Sequence, residues 1–278
     1  MGMKAMKIGV MSDIHLYRKT DRFACALEAS AGVEVLLLVG DIADRAQKEQ
    51  YDLAYACIRE RLGDIPVYCV SGNHDNPARN DAHYRAFEEK IHPQWAACME
   101  ENGAFYQRLG EMVDLFGLNP TYHQKQFFFP EKGKQLAFLR EKLEDSTALC
   151  HILLCHPPLI AHNPQRTKEM APYITKEQND KLQKIVDETG GVVFLSGHTH
   201  VAPAVEWEEK RRNLYINDGS ICPTSLGDGQ IQQGNITILE IEKGKVSVLI
   251  KGIHTGKVFY HREFSFKAKG EGKEVCSN

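Results

Sequence analysis

Five short apolar runs in this chain each end, within a few residues, in side chains able to bind a metal. That recurrence constrains the fold more than any other feature of the sequence. Residues 7–11 (KIGVM) run into Ser12-Asp13-Ile14-His15, and residues 33–39 (VEVLLLV) run into Gly40-Asp41-Ile42-Ala43-Asp44. Residues 67–70 (VYCV) lead to Ser71-Gly72-Asn73-His74-Asp75, residues 149–155 to His156-Pro157-Pro158, and residues 192–195 (VVFL) to Ser196-Gly197-His198-Thr199-His200. Near-continuous apolar runs of this length are the pattern of strands covered on both faces. Between them lie stretches with helical spacing at 21–31, 47–62, 82–99 (broken at Pro93), 134–143 and 176–188, with a further strand at 112–118. Helical crossovers between such strands require parallel pairing. Ligands bind in the crevice beyond the carboxyl ends of the strands of such sheets. The five clusters should therefore meet in space, although they span roughly 190 positions.

After His200 the pattern changes. Residues 206–216 read as a hairpin with a charged tip at 208–212, and residues 235–251 alternate apolar and polar across a Lys243-Gly244 turn. Residues 258–266 add a candidate edge strand. Hairpins pair antiparallel, so crossovers and hairpins together predict an α/β fold: a four-layer α-β-β-α sandwich with two mixed β-sheets and a hairpin-rich C-terminal part. No linker rich in Pro, Gly or Ser separates the halves. Residues 1–266 are expected to form a single domain, with 267–278 a loose polar tail.

Thirty-four basic residues against 37 acidic ones leave a net charge of −3, without the basic excess of a dedicated nucleic-acid surface. A small phosphorylated substrate is compatible with that balance. No run approaches 18 apolar residues, so no membrane span is expected, and the first residues lack the apolar core of a secretory leader. The eight cysteines form no CxxC pair, and Cys69, Cys150 and Cys155 lie inside apolar runs, as buried reduced thiols do. The expected compartment is the cytoplasm.

Taken singly, each strand-exit cluster says little. Asp or Asn after a strand is commonly a turn or cap residue, and a lone His there is commonly structural. Five such exits, holding five of the twelve histidines, are a different matter. Imidazole nitrogen with carboxylate and carboxamide oxygen, and no thiolate, suits divalent Mn, Fe, Zn or Ni. The donors outnumber what one ion needs, which points to two. Gly40, Gly72 and Gly197 precede the clusters, where the backbone needs positive φ or close approach.

The motifs DxH, GDxxD, GNHD, a lone His and GHTH, in this order from Asp13 to His200, resemble the calcineurin-like metallophosphoesterase superfamily. Asn217-Asp218-Gly219-Ser220 resembles the stretch that follows GHTH in small bacterial members. The resemblance implies two divalent metal ions (Mn, Fe or Zn). Asp13, His15 and His200 would hold the first, Asn73, His156 and His198 the second, and Asp41 would bridge them. It implies a water shared by the ions as nucleophile, His74 as general acid toward the leaving group, and Asp44 as the residue that orients His74. Asp75 is expected to point elsewhere. Arg45 follows Asp44 as in the protein-phosphatase branch, where such an Arg contacts phosphate, although Ala46 stands where that branch has Gly. Arg45 is therefore the candidate substrate-binding residue.

The expected function is metal-dependent hydrolysis of a small phosphodiester, a cyclic nucleotide among the possibilities. A phosphomonoesterase or a nuclease is the alternative within enzymes. A nuclease fits less well, given the missing basic surface and a segment between Asp75 and His156 that holds only helix, strand and helix. A catalytically silent binding scaffold is the alternative of another class, and the complete ligand set speaks against it. Oligomeric state is open. Structural roles are expected for His151 and Cys155, and surface or cap roles for His83 and His92. Phe127, Phe128 and Phe129 are expected to pack a loop against a helix, with an aromatic lip over the metals as the other reading. His162 and Tyr173 are candidates for the mouth of the site.

Overall fold

The computed structural model describes residues 5–76, 81–93, 103–165, 173–222, 224–225 and 231–266. Along the chain the elements begin β1 (Met6–Met11), α1 (Asp21–Ala29), β2 (Val35–Val39), α2 (Lys48–Leu62), β3 (Val67–Val70) and α3 (Ala82–Ile91). There follow β4 (Phe105–Leu109), β5 (Val113–Leu118), β6 (Thr121–His123), β7 (Gln126–Phe128), α4 (Pro130–Glu144), β8 (Cys150–Cys155), α5 (Lys176–Thr189) and β9 (Val192–Ser196). The remainder is strand: β10 (Ala204–Glu208), β11 (Asn213–Asn217), the short pair β12 (Thr224–Ser225) and β13 (Ile231–Gln232), then β14 (Asn235–Glu242), β15 (Lys245–Gly252) and β16 (Val258–Ser265).

Successive side chains of a strand point to opposite faces, and in β2 all five positions are buried. Val35, Leu37 and Val39 join Ile8 and Val10 in a cluster that also holds Leu115, Ile152, Leu154, Val193 and Leu195 of the other sheet. Leu36 and Leu38 face the opposite way, against Phe23, Leu27, Tyr51, Ala54 and Ile58 of α1 and α2. On the far side, Leu153 and Phe194 pack with Leu139, Leu182, Ile185 and Val186 of α4 and α5. Two six-stranded mixed sheets, ordered β16-β15-β14-β1-β2-β3 and β10-β11-β9-β8-β5-β4, thus lie face to face between two helical layers. This is the expected four-layer sandwich. The β1-β2-β3 and β8-β9 pairs are parallel, and the late hairpins run antiparallel.

The segment before β8 holds more than helix, strand and helix. β4 pairs antiparallel with β5 at a sheet edge, and β6–β7 form a small hairpin. β4 (FYQRL) is buried only at its ends, so its sequence shows no continuous apolar run. Its Phe105 ring lies against Gly117, where a Cβ would come within 1.9 Å. α3 ends at Ile91. His92 and Pro93 are no longer helical, and residues 94–99 of the helix expected to reach 99, with the tail 267–278, lie outside the described residues. His92 caps α3 but is buried rather than at the surface: its Nε2 accepts the Cys69 N–H at 2.9 Å, and burial pushes the imidazole down to about 3. No helix among the described residues is long and apolar enough to cross a membrane.

Candidate metal centre

The exits of β1, β2, β3, β8 and β9 converge at one end of the sandwich. The His198 N–H donates to Asp13 Oδ2 at 2.9 Å, the His74 N–H to Asp41 Oδ1 at 2.8 Å, and His156 Nδ1 lies 2.7 Å from the Val39 carbonyl. Asp13, His15, Asp41, His198 and His200 all adopt positive φ, between 45° and 70°. For residues other than glycine this conformation is strained, typically by about 1–3 kcal/mol each, and it persists only where the surroundings over-determine it. The glycines give close approach. A Cβ on Gly72 would lie 2.1 Å from Asp41 Oδ1, one on Gly197 2.4 Å from Asp13 Oδ2, and one on Gly40 2.5 Å from the His156 ring.

Two groups of donors share Asp41, beside a third made of His15, Asp44 and His74. Asp13, His15, Asp41 and His200 each offer an atom within 4.8 Å of the others, and so do Asp41, His156 and His198. Asp41 belongs to both groups. Its Oδ2 lies 3.6 Å from His15 Nε2 and 3.4 Å from His156 Nε2. His15 Nε2 and His200 Nε2 face each other at 2.9 Å, and His200 Nε2 is 3.1 Å from Asp13 Oδ1. In the second group His156 Nε2 and His198 Nε2 are buried without a hydrogen-bond partner, and so is the carboxamide oxygen of Asn73 at the β3 exit. Such orphans are rare in folded proteins because each costs the desolvation of a polar group, and a bound ion is one of the few things that satisfies several at once. The donor set, nitrogen and oxygen without thiolate, fits divalent cations.

The buried carboxylates and imidazoles offset one another's charge. Burial raises the Asp41 carboxyl, but His156 and His15 outweigh it and hold the group well below the usual carboxylate range. Burial lowers His156, but Asp41 and Asp13 prevail and lift it to about 9. His198 is pushed down to about 4, chiefly by burial, and so presents a neutral imidazole.

His74 is half-buried beside this centre, its ring edge-on to His15 at a centroid distance of 4.5 Å. Its Nδ1 lies 2.8 Å from the backbone carbonyl of Asp44, not from the Asp44 carboxylate. That carboxylate lies 3.6 Å from His15 Nδ1 and 3.5 Å from Arg45 Nε. Arg45 is largely exposed, its guanidinium 4.8 Å from the Tyr17 ring centroid. Asp75 points into the protein, where its carboxylate accepts the N–H groups of Ile42, Ala43 and Gly72 and the Tyr51 hydroxyl, all at 2.9–3.1 Å.

The model of the calcineurin-like phosphoesterase family matches residues 6–202, about 70% of the chain. The chain belongs to that family. A relative from Fibrobacter succinogenes, described as a probable cyclic nucleotide phosphodiesterase, is 25% identical over 227 residues, which cover 76% of this chain and 78% of the relative. Among solved structures, a purple acid phosphatase from yellow lupin seeds superposes with a TM-score of 0.67 at 12% identity; 95% of this chain is covered, but it spans only 54% of the lupin protein. GAP50, described as the anchor in the inner membrane complex of Plasmodium, superposes with a TM-score of 0.59 at 12% identity, over 96% of this chain and 91% of its own. These structural likenesses concern the fold.

In this calcineurin-like phosphoesterase several supporting residues lie beyond what motif spacing discloses. Asp75 fastens the Gly72 turn to the Asp41 loop, a task its exclusion from the ligand set left open. Asn217 bonds the Gly197 carbonyl at 2.7 Å and the Thr199 hydroxyl at 2.9 Å, bracing the His198 turn. Phe127 is fully buried yet lies 5.1 Å from the His198 ring, so it both packs the loop and walls the centre. His151 is buried near Asp114, and Cys155 is in the core. His162 stacks on Tyr215 and lies 3.1 Å from Glu206. A separate buried group, Cys69, Glu88 and His92, has ligand-type atoms in proximity, but His92 Nε2 is committed to the Cys69 N–H.

Proposed function

We propose that the protein hydrolyses small phosphodiesters with two divalent cations, Mn, Fe or Zn, held at the strand exits. Asp13, His15 and His200 would hold the first, Asn73, His156 and His198 the second, and Asp41 would contribute to both. The observation that carries this reading is the buried Asp41 carboxylate, shared by two converging groups of donors, the second of which holds two orphaned ring nitrogens. Bound there, divalent cations supply Lewis-acid polarisation of phosphoryl oxygens and acidify the attacking water.

The chain's own residues supply position and a proton. Phosphoryl transfer needs little covalent help from protein, so alignment and charge balance dominate. An Nδ1–H of His74 donated to the Asp44 carbonyl fixes the ring, and leaves Nε2 as the atom that carries the exchangeable proton. His74 delivers that proton to the departing oxygen as general acid. Asp44 steadies His74 through its backbone and His15 through its carboxylate. Arg45, exposed beside Asp44, contacts the phosphate.

The description of the Fibrobacter relative supports a cyclic nucleotide among the substrates. The free thiols of all six cysteines among the described residues support a cytoplasmic location. One core shared by both sheets supports a single domain over residues 1–266. The test is hydrolysis of bis(p-nitrophenyl) phosphate against p-nitrophenyl phosphate after loading with Mn. A diester preference of at least tenfold in kcat/KM is expected; preference for the monoester would make the protein a phosphomonoesterase.

A further inference from the structure

A cavity of about 580 Å3 opens beside His15, within the ~300–1,000 Å3 typical of small-ligand sites. It is lined by Tyr17, Arg18 and Lys19 of the β1–α1 connection, by Asp21 and Arg22 of the first turn of α1, and by His254 from the turn after β15. Three cations stand there against one carboxylate. Guanidinium and ammonium groups recognise phosphate by charge-assisted hydrogen bonds, and the amino end of α1 adds partial positive charge. No metal-centre donor other than His15 lines the cavity.

Position relative to the chemistry decides what the cavity serves. His15 is shared between its wall and the metal centre, and the same ring meets His74 edge-on. The cavity therefore adjoins the centre at His15, whose ring also meets His74, and neither His156 nor His198 is among its lining residues. A general acid faces the leaving-group oxygen, so the departing half of a diester is directed this way. Tyr17, 38% exposed, offers an aromatic face there, with the guanidiniums of Arg45 and Arg18 at 4.8 and 5.1 Å from its centroid.

We propose that this cavity binds the leaving half of the substrate and selects a leaving group that carries its own phosphate, as in a dinucleotide whose departing nucleoside is phosphorylated. The proposal rests on the phosphodiesterase reading of the centre. In the step, the water oxygen bonds to phosphorus and the bond to the departing oxygen breaks. That oxygen takes the proton of His74, a proton of the water passes to solvent, and the second phosphate stays intact. A cyclic mononucleotide places no second phosphate in the cavity.

Binding to the metal-free full chain tests the cavity apart from turnover. AMP, standing for a phosphorylated departing nucleoside, should bind at least tenfold more tightly than adenosine by calorimetry. The double variant Arg18→Ala/Arg22→Ala, at exposed positions, should lose at least tenfold in AMP affinity. Equal binding of AMP and adenosine, or AMP binding by the variant as in wild type, overturns the proposal. On Mn-loaded protein, kcat/KM for a dinucleoside monophosphate bearing a further phosphate on its departing nucleoside should exceed that of the unphosphorylated dinucleotide at least tenfold. In the double variant that ratio should collapse toward one; a wild-type ratio near one overturns the proposal. Should no diester turn over at all, bis(p-nitrophenyl) phosphate included, the phosphodiesterase reading falls while the binding measurements still decide the cavity.

Discussion

Asp41 divides one carboxylate between two sets of donors, and its loss should be felt by both. Asp41→Ala is expected to lower metal content at both positions, whereas Asn73→Ala should chiefly empty one, because Asn73 is proposed to act with His156 and His198 alone. Elemental analysis after dialysis checks this; full occupancy in Asp41→Ala would contradict the bridging role. His74 and Asp44 separate in the same way. His74→Ala should keep its metal yet lose roughly 10²–10⁴ in kcat with an alkoxide leaving group, and far less with nitrophenolate, which departs without a proton. Since His74 Nδ1 meets the backbone of Asp44, Asp44→Ala should leave the ratio of rates on the two leaving groups as in wild type and act through His15 instead. Asp44→Ala reproducing the leaving-group dependence of His74→Ala would contradict that geometry. The convergence of Asp13, His15, Asp41, His156, His198 and His200 was legible because each closes an apolar run. Which atom of Asp44 meets His74 was not, since spacing says nothing of rotamer or of backbone against side chain.

At the scale of elements, the strand exits are held by bonds that cross from loop to loop. Asp75 receives three backbone N–H groups and one hydroxyl, and hydrogen bonds to a charged acceptor are worth about 1.5–3 kcal/mol each. Asp75→Asn turns a donor toward those donors; a stability loss on the order of 2–4 kcal/mol in chemical denaturation is expected, together with weakened metal retention. Unchanged stability would remove Asp75 from that role. α3 carries a second testable group. Burial pushes the Glu88 carboxyl up from 4.5 to about 8, against the pull of Arg85 and the Tyr84 hydroxyl. A carboxyl raised in the folded state is an acid held neutral: its contribution is fully present below pH 4.5 and is lost as pH rises toward 8, by about 1.4 kcal/mol per pH unit in that window. Glu88→Gln should therefore be more stable than wild type at pH 8 and should lose that advantage by pH 4.5, as thermal melts across the range will read. β4 and the β6–β7 hairpin escaped the sequence because edge strands with half-exposed middles carry no continuous apolar run. The doubly covered strands β2 and β8 declared themselves.

For the whole molecule, placing parallel strands of two facing sheets so that their carboxyl ends share one edge brings together donors from residue 13 to residue 200. Helical crossovers and late hairpins in one sequence made the four-layer sandwich legible, because only a mixed sheet accommodates both. Function at this scale is less legible. A lupin phosphatase and a Plasmodium anchor protein share the architecture, so the frame does not specify the activity and the site must. The cavity beside His15 illustrates the limit: Arg18, Lys19 and Arg22 look like ordinary solvated charges in sequence, and only the path of the chain after β1 brings them into one cavity with His15. Everything proposed for catalysis requires two cations joined through one carboxylate, and electron paramagnetic resonance of the protein titrated with Mn reads that directly. Uptake of two equivalents with an exchange-coupled multiline signal is predicted; one equivalent, or two giving only the six-line signal of isolated ions, would contradict it.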